Sequence, residues 1–109
     1  MPVFMSSMYT ADGLWSSGDI VLYKIGIEIR RGILDNYYFQ HNQVVKIIKY
    51  DKNPFVFTIE YNVGTKDNET IDLRIFNRNK FIRRAEGMGY TFETKERFKR
   101  KPTPGLILK

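Results

Sequence analysis

From residue 18 onward, apolar and polar positions alternate along most of the chain. A repeat of two is what a strand with one buried face requires. "GDIVLYKIGIEIRRGILDN" sets Ile20 and Leu22 against Asp19, Val21 and Tyr23, then Ile27, Ile29 and Arg31 against Glu28 and Arg30. Gly26 permits a bend, and Gly32 a bulge or close backbone approach. "VVKIIKY" (44–50) is a β-branched run, and "DKNP" (51–54) is a turn built on Asp, Asn and Pro. "FVFTIEY" (55–61) is the clearest strand, with Phe55, Phe57, Ile59 and Tyr61 on one face and Val56, Thr58 and Glu60 on the other. After a loop at 62–69, "TIDLRIF" (70–76) turns Ile71, Leu73 and Ile75 inward. "NRNK" (77–80) predicts a short helical turn and "FIRRA" (81–85) a short closing strand.

The two ends differ. Residues 1–17 are rich in Met and Ser and lack a period, so they read as an N-terminal arm on which Val3, Phe4, Tyr9, Leu14 and Trp15 are the packing candidates. Beyond "EGMGYTFET", where Tyr90 and Phe92 alternate, the chain turns basic, and Pro102 and Pro104 block regular structure. Short strands punctuated every eight to twelve residues make a sandwich or a barrel. The expected architecture is mainly β: an arm at 1–17, a barrel domain of five or six strands at 18–94, and a basic then apolar tail at 95–109. No internal repeat and no long amphipathic helix is visible.

Composition changes this picture by exclusion. The 109 residues fit one domain with its own core. The chain has no cysteine, which removes disulfides, thiolate zinc sites and cysteine nucleophiles. No apolar run approaches the ~18 residues of a membrane span, and the N-terminus lacks the pattern of a signal peptide. A cytoplasmic protein without a membrane partner is therefore expected. The single histidine, His41, sits in a polar loop, and no sequence pattern supplies it with a nucleophile and a carboxylate. One histidine without cysteine cannot close a zinc site. Asp67 and Glu69 do not follow a calcium-loop pattern, and "EGMGY" is too short to cradle a phosphate and lacks a following Lys-Ser/Thr. Neither a cofactor nor an enzymatic activity is expected.

Charge gives the positive indication. The net charge is +6, but residues 1–73 carry 7 Lys/Arg and 9 Asp/Glu, whereas residues 74–109 carry 11 and 3. Such asymmetry points to nucleic acid, an acidic protein or an anionic surface. Arg74, Arg78, Lys80, Arg83 and Arg84 fall within eleven residues that contain no acid. Lys95, Arg97, Lys99, Arg100 and Lys101 fall within seven, opposed only by Glu96. Cations that meet phosphates release counterions and bind without regard to sequence. Arg30 and Arg31 extend this candidate set, although alternation sends the two to opposite faces. Tyr37, Tyr38 and Phe98 are candidates for stacking on bases, against the plainer reading that Phe98 packs the tail down and that Tyr38 or Phe39 is core.

The order "SGDIVLYK … RRGIL … VVKIIKY … FVFTIEY … IDLRIFNRNKFIRR" resembles an SH3-like barrel of the Tudor and KOW kind over residues 18–84. The resemblance is carried by Gly18, Asp19 and Val21, by residues 32–34, by 57–61 and by 76–84. It implies a small SH3-like barrel whose last strand carries basic residues. The segment between Gly32 and Phe55 is longer than in a minimal barrel, and no aromatic cage for methyl-lysine stands at matching positions.

One function follows as the expectation, and two stand as rivals to it. The first is a non-enzymatic module that contacts the phosphates of DNA or structured RNA through its basic C-terminal region. The second is a protein-interaction regulator, phage-encoded in one version, that docks on an acidic host protein through Leu106, Ile107, Leu108 and the N-terminal arm. The third is a small ribonuclease with His41 as base. Toxin ribonucleases also use such a barrel and open with Gly-Asp, but the Arg-Pro pair that follows in them is missing here.

Overall fold

A computed structural model describes residues 3–10, 15–31 and 36–99, with side chains from residue 15 onward. Eight strands form in chain order: β1 (Val3–Thr10), β2 (Ser16–Tyr23), β3 (Gly26–Arg30), β4 (Tyr37–Gln40), β5 (Val44–Tyr50), β6 (Val56–Tyr61), β7 (Glu69–Arg74) and β8 (Phe92–Lys95). A 3-10 turn at His41–Gln43 joins β4 to β5, and one helix, α1 (Arg78–Gly87), joins β7 to β8. The mainly-β expectation is met.

The strands hydrogen-bond in the order β4-β3-β2-β1-β7-β6-β5-β8. Every neighbouring pair is antiparallel except β5 and β8, which run parallel with Ile47 opposite Phe92 and Tyr50 opposite Lys95. A parallel pair needs a long crossover, and β6, β7 and α1 supply it. The two halves of this order, β4-β3-β2-β1 and β7-β6-β5-β8, curl toward each other. Ile20, Leu22, Ile27, Ile29 and Phe39 from the first half share one core with Ile47, Phe57, Ile59, Ile71, Leu73 and Ile75 from the second. Each fully buried side chain of this size stabilises the fold by roughly 1.5–3 kcal/mol.

The inward faces predicted for β6 and β7 are observed except at Phe55, which precedes β6 and is exposed instead of sharing the core with Phe57 and Ile59. Phe57, Ile59, Ile71, Leu73 and Ile75 are all buried in the core, with Tyr61 packed beside them. The hairpin within "GDIVLYKIGIEIRRG" also forms, with Tyr23 paired to Gly26 across Lys24 and Ile25. The outward face of the second half is buried as well. Ile48, Tyr50 and Val56 form a smaller cluster there, covered by Trp15 and Phe98. Beneath that cover a polar chain is satisfied: Tyr50 and Thr58 share a 2.7 Å hydrogen bond, and the Thr58 hydroxyl donates to Asp72 Oδ1 at 2.7 Å. A buried polar group is tolerable only when partnered in this way.

Four expectations need correction. Residues 3–10 are not a peripheral arm: β1 lies mid-sheet, antiparallel to both β2 and β7. Among the described residues the sheet has eight strands, seven of them from residue 16 onward where five or six were expected. The sheet is not a closed barrel, because β4 and β8 end the order without pairing to each other. "FIRRA" is helical, because Phe81 and Ala85 are four residues apart and bury together while Ile82 and Met88 pack on the same core. The helix starts where Phe81 N–H donates to Asn77 O at 3.1 Å, and it ends at Gly87, two residues before Gly89, whose φ of +88° lets the chain reverse. Gly32, the proposed bulge, lies outside the described residues.

Candidate functional site

The basic residues expected to act together separate into distinct places. Four lie on α1. Burial of Phe81 and Ala85 fixes which side of the helix faces the core, so Arg83 and Arg84 are exposed and Arg78 and Lys80 half-buried. The first turn of α1 contains no acidic residue. Two shallow grooves flank this side. One is lined by Lys80, Arg83 and Arg84, and the other by Lys49, Arg78, Asn79, Ile82, Arg83 and Glu86. Arg83 belongs to both.

Among the described residues, carboxylates pair with Arg30 and Lys46 but not with the α1 cations. Arg78 makes only a 3.5 Å contact from its guanidinium to Asn79 Oδ1, and its buried Nε has no hydrogen-bond partner. Lys49 was not singled out from the sequence. Alternation places it on the same face as buried Ile47, but it sits near the end of β5, where it reaches the edge of α1 with its ammonium 6.0 Å from the Phe92 ring.

Lys95, Arg97 and Lys99 are exposed but belong to β8 and the segment after it, not to α1. That segment is tied to the β5–β6 turn: Asp51 N–H donates to Lys95 O at 3.0 Å, Lys52 N–H to Glu96 O at 2.9 Å, and Phe98 N–H to Asn53 Oδ1 at 2.9 Å. Arg100, Lys101 and the apolar stretch at 106–108 lie outside the described residues.

Arg30 and Arg31 do point apart. Arg30 donates to Glu28 Oε1 at 3.1 Å and to the Tyr23 hydroxyl at 3.4 Å. Arg31 covers the Tyr37 ring at 4.2 Å. Partial burial alone would raise the Glu28 carboxyl, but hydrogen bonds from Tyr23, Arg30 and Asn36 outweigh it and hold the group below the ordinary carboxylate value. Arg74 is placed over Trp15 at 4.6 Å, on the outward face.

The stacking candidates fare unequally. Tyr37 packs on the main core beneath Arg31. Phe98 meets Tyr50 at 5.4 Å and Trp15 at 6.4 Å, as the plainer reading required. Tyr38 is exposed, with its hydroxyl donating to Ile25 O at 3.2 Å. Among the described residues the most open aromatic pair is Phe55 and Phe76, which carry no base-stacking signal in the sequence: they are 45% and 57% exposed, with centroids 5.5 Å apart.

His41 is a packing residue. Its ring stacks on Tyr90 at 4.2 Å, and its Nε2 lies 3.0 Å from the Met88 carbonyl oxygen, which only an Nε2–H can satisfy. Tyr90 is buried, and that burial, with a smaller contribution from Tyr38, pushes its phenol up to about 12 while the hydroxyl donates to Tyr23 O at 3.0 Å. Among the described residues no group of three or more metal-ligating side chains converges, and no helix is long and apolar enough to cross a membrane.

No protein-family model matches the chain, and no curated protein matches it. The cationic side of α1 therefore has to be interpreted from its own chemistry.

Proposed function

We propose that this protein is a non-enzymatic nucleic-acid-binding module that contacts the phosphates of DNA or structured RNA through the exposed side of α1. One observation carries the reading. Lys80, Arg83 and Arg84 line one groove of α1, and Arg83 with Arg78 and Lys49 of β5 lines the adjoining one beside Glu86, yet no ion pair to a carboxylate ties any of these cations among the described residues. Four cations against the one carboxylate of the same helix, Glu86, concentrate positive potential on a rigid element. Lys95, Arg97 and Lys99 would add affinity from a second element.

For the scaffold we infer an open relative of the SH3-like barrel. Two strand layers that curl around one core, with a short helix at one side, support that reading.

The test is a salt series on purified, nucleic-acid-free protein with duplex DNA and structured RNA. The logarithm of affinity should fall linearly with the logarithm of salt. Arg83→Glu/Arg84→Glu should weaken binding to both nucleic acids and flatten the slope by roughly 2 on duplex DNA, because each lost phosphate contact removes about 0.9. Binding that stays unchanged from low to moderate ionic strength would eliminate the proposal. The protein-interaction alternative predicts a bound partner that survives nuclease treatment.

A further inference from the structure

We propose that Phe55 and Phe76 form a platform on which an unpaired base of a single-stranded segment stacks, while the first turns of α1 hold the neighbouring phosphates. This rests on the nucleic-acid reading above and adds the strandedness of the ligand and the residues that sense it.

The platform is set by the sheet. Val56 opposite Arg74 is the first pair of the β6–β7 ladder, and just beyond it Ile75 N–H donates to Phe55 O at 2.8 Å. That bond fixes where both strands leave the sheet and brings Phe55 and Phe76 together at 5.5 Å with an interplanar angle of 53°. Neither ring belongs to the main core or to the outward cluster. A single exposed apolar side chain is ordinary, and Ile25 at 71% exposure is one. Two phenyl rings in contact and both open to water are different, because the apolar surface is contiguous.

The neighbours of the platform decide its occupant. Phe76 precedes Asn77, the residue at which α1 begins, and Arg78 and Lys80 follow within the first turn. Arg83 and Arg84 extend the cations along the helix. An apolar protein partner would be matched by the rings alone. A single strand needs both parts, a π-face for a base and cations for the adjoining phosphates, and here they are contiguous in the chain. A fully paired duplex offers no free base face except at its ends, so duplex alone leaves the rings unused.

The experiment compares a twelve-residue oligothymidylate with an abasic deoxyribose-phosphate strand of the same length, by fluorescence anisotropy at low salt. The full chain is used as wild type, as Phe55→Leu/Phe76→Leu, as Phe55→Ala/Phe76→Ala, and as Lys80→Ala/Arg83→Ala/Arg84→Ala. Thermal melting checks that each variant is folded, and the leucine pair preserves apolar bulk if the alanine pair does not fold. The wild type should prefer the thymidylate by about fivefold or more, the lower range for stacking one base on an aromatic ring. Both phenylalanine double variants should lose this preference and keep the salt slope. The triple variant should bind both strands weakly.

Equal binding of the two strands by the wild type would overturn the platform and leave the phosphate reading intact. So would a leucine pair that retains the preference. Absence of binding to either strand at low salt would overturn the platform, whereas the phosphate reading falls only if duplex DNA and structured RNA also fail to bind in the salt series above.

Discussion

A methyl group on Gly26 would lie 2.4 Å from the Phe39 carbonyl oxygen and 2.6 Å from the Tyr38 hydroxyl. The first of these is backbone and cannot swing away, so the residue is fixed by space alone. Gly26 pairs with Gln40 at the start of β3, and β4 approaches so closely that Tyr38 can cover the β2–β3 turn and bond Ile25 O. Gly26→Ala should therefore separate β4 from β3 and cost about 1–3 kcal/mol, in the range of overpacked sites. Urea unfolding measures this, and a midpoint equal to that of the wild type would refute the close approach. The constraint also shows what was legible at this scale. The glycine was visible in the sequence as a bend, but the neighbour that makes it obligatory comes from thirteen residues away. His41 is similar: its role depends on Met88 and Tyr90, distant in sequence, so it stood among loop residues without a partner.

At the scale of elements, the β2–β3 hairpin carries a polar surface organised by Glu28. The carboxylate accepts from Tyr23, Arg30 and Asn36, and their combined effect lowers its pKa despite partial burial. A carboxyl whose pKa is lower in the folded state adds stability above its unfolded value, and that stability disappears as pH falls through the folded value. Glu28→Gln should thus melt below wild type at pH 7 and converge with it on acidification from about pH 4.5 downward. Melting curves that remain parallel across that range would show that the charge contributes nothing.

The strands were the readable elements. β6 and β7 each bury a period-two face, and that face can be counted off directly. α1 was not readable, because in five residues of "FIRRA" the pairing of Phe81 with Ala85 is easily masked by the apolar neighbour Ile82. The difference between strand and helix matters for the site. As a strand, Arg83 and Arg84 would fall on opposite faces, whereas on a helix they share the exposed side. Nor could β1 be read, since residues 3–10 lack alternation and gain their place from backbone pairing with β2 and β7.

The whole molecule is organised around two unequal clusters on opposite faces of the β5–β6–β7 layer. The larger joins both halves of the sheet and α1. The smaller depends on Trp15, just before β2, and Phe98, beyond β8, which pack on it from positions distant in sequence. Trp15 is the only tryptophan, so its emission reports on this cluster alone. Phe98→Ala should shift that emission to the red and lower stability by about 1–3 kcal/mol, less than a fully buried phenylalanine because Phe98 is half-buried. The α1 surface lies outside this cluster, so nucleic-acid binding should persist in the variant under conditions where it is folded. Unchanged tryptophan emission would show that Phe98 does not cover the cluster in solution.

The position of β1 has a consequence for the order of assembly. Its pairing with β7 joins Met8 to Arg74 and Thr10 to Asp72, contacts that span some sixty residues of sequence. A ribosome delivers β1 to β4 as a local meander long before β7 emerges. Until then, the side of β1 that will face β7 has no strand to bond with. The nascent chain therefore carries an open edge on β1 until β7 emerges, and the pairing that closes it is of the non-local kind that loop-closure entropy makes slow.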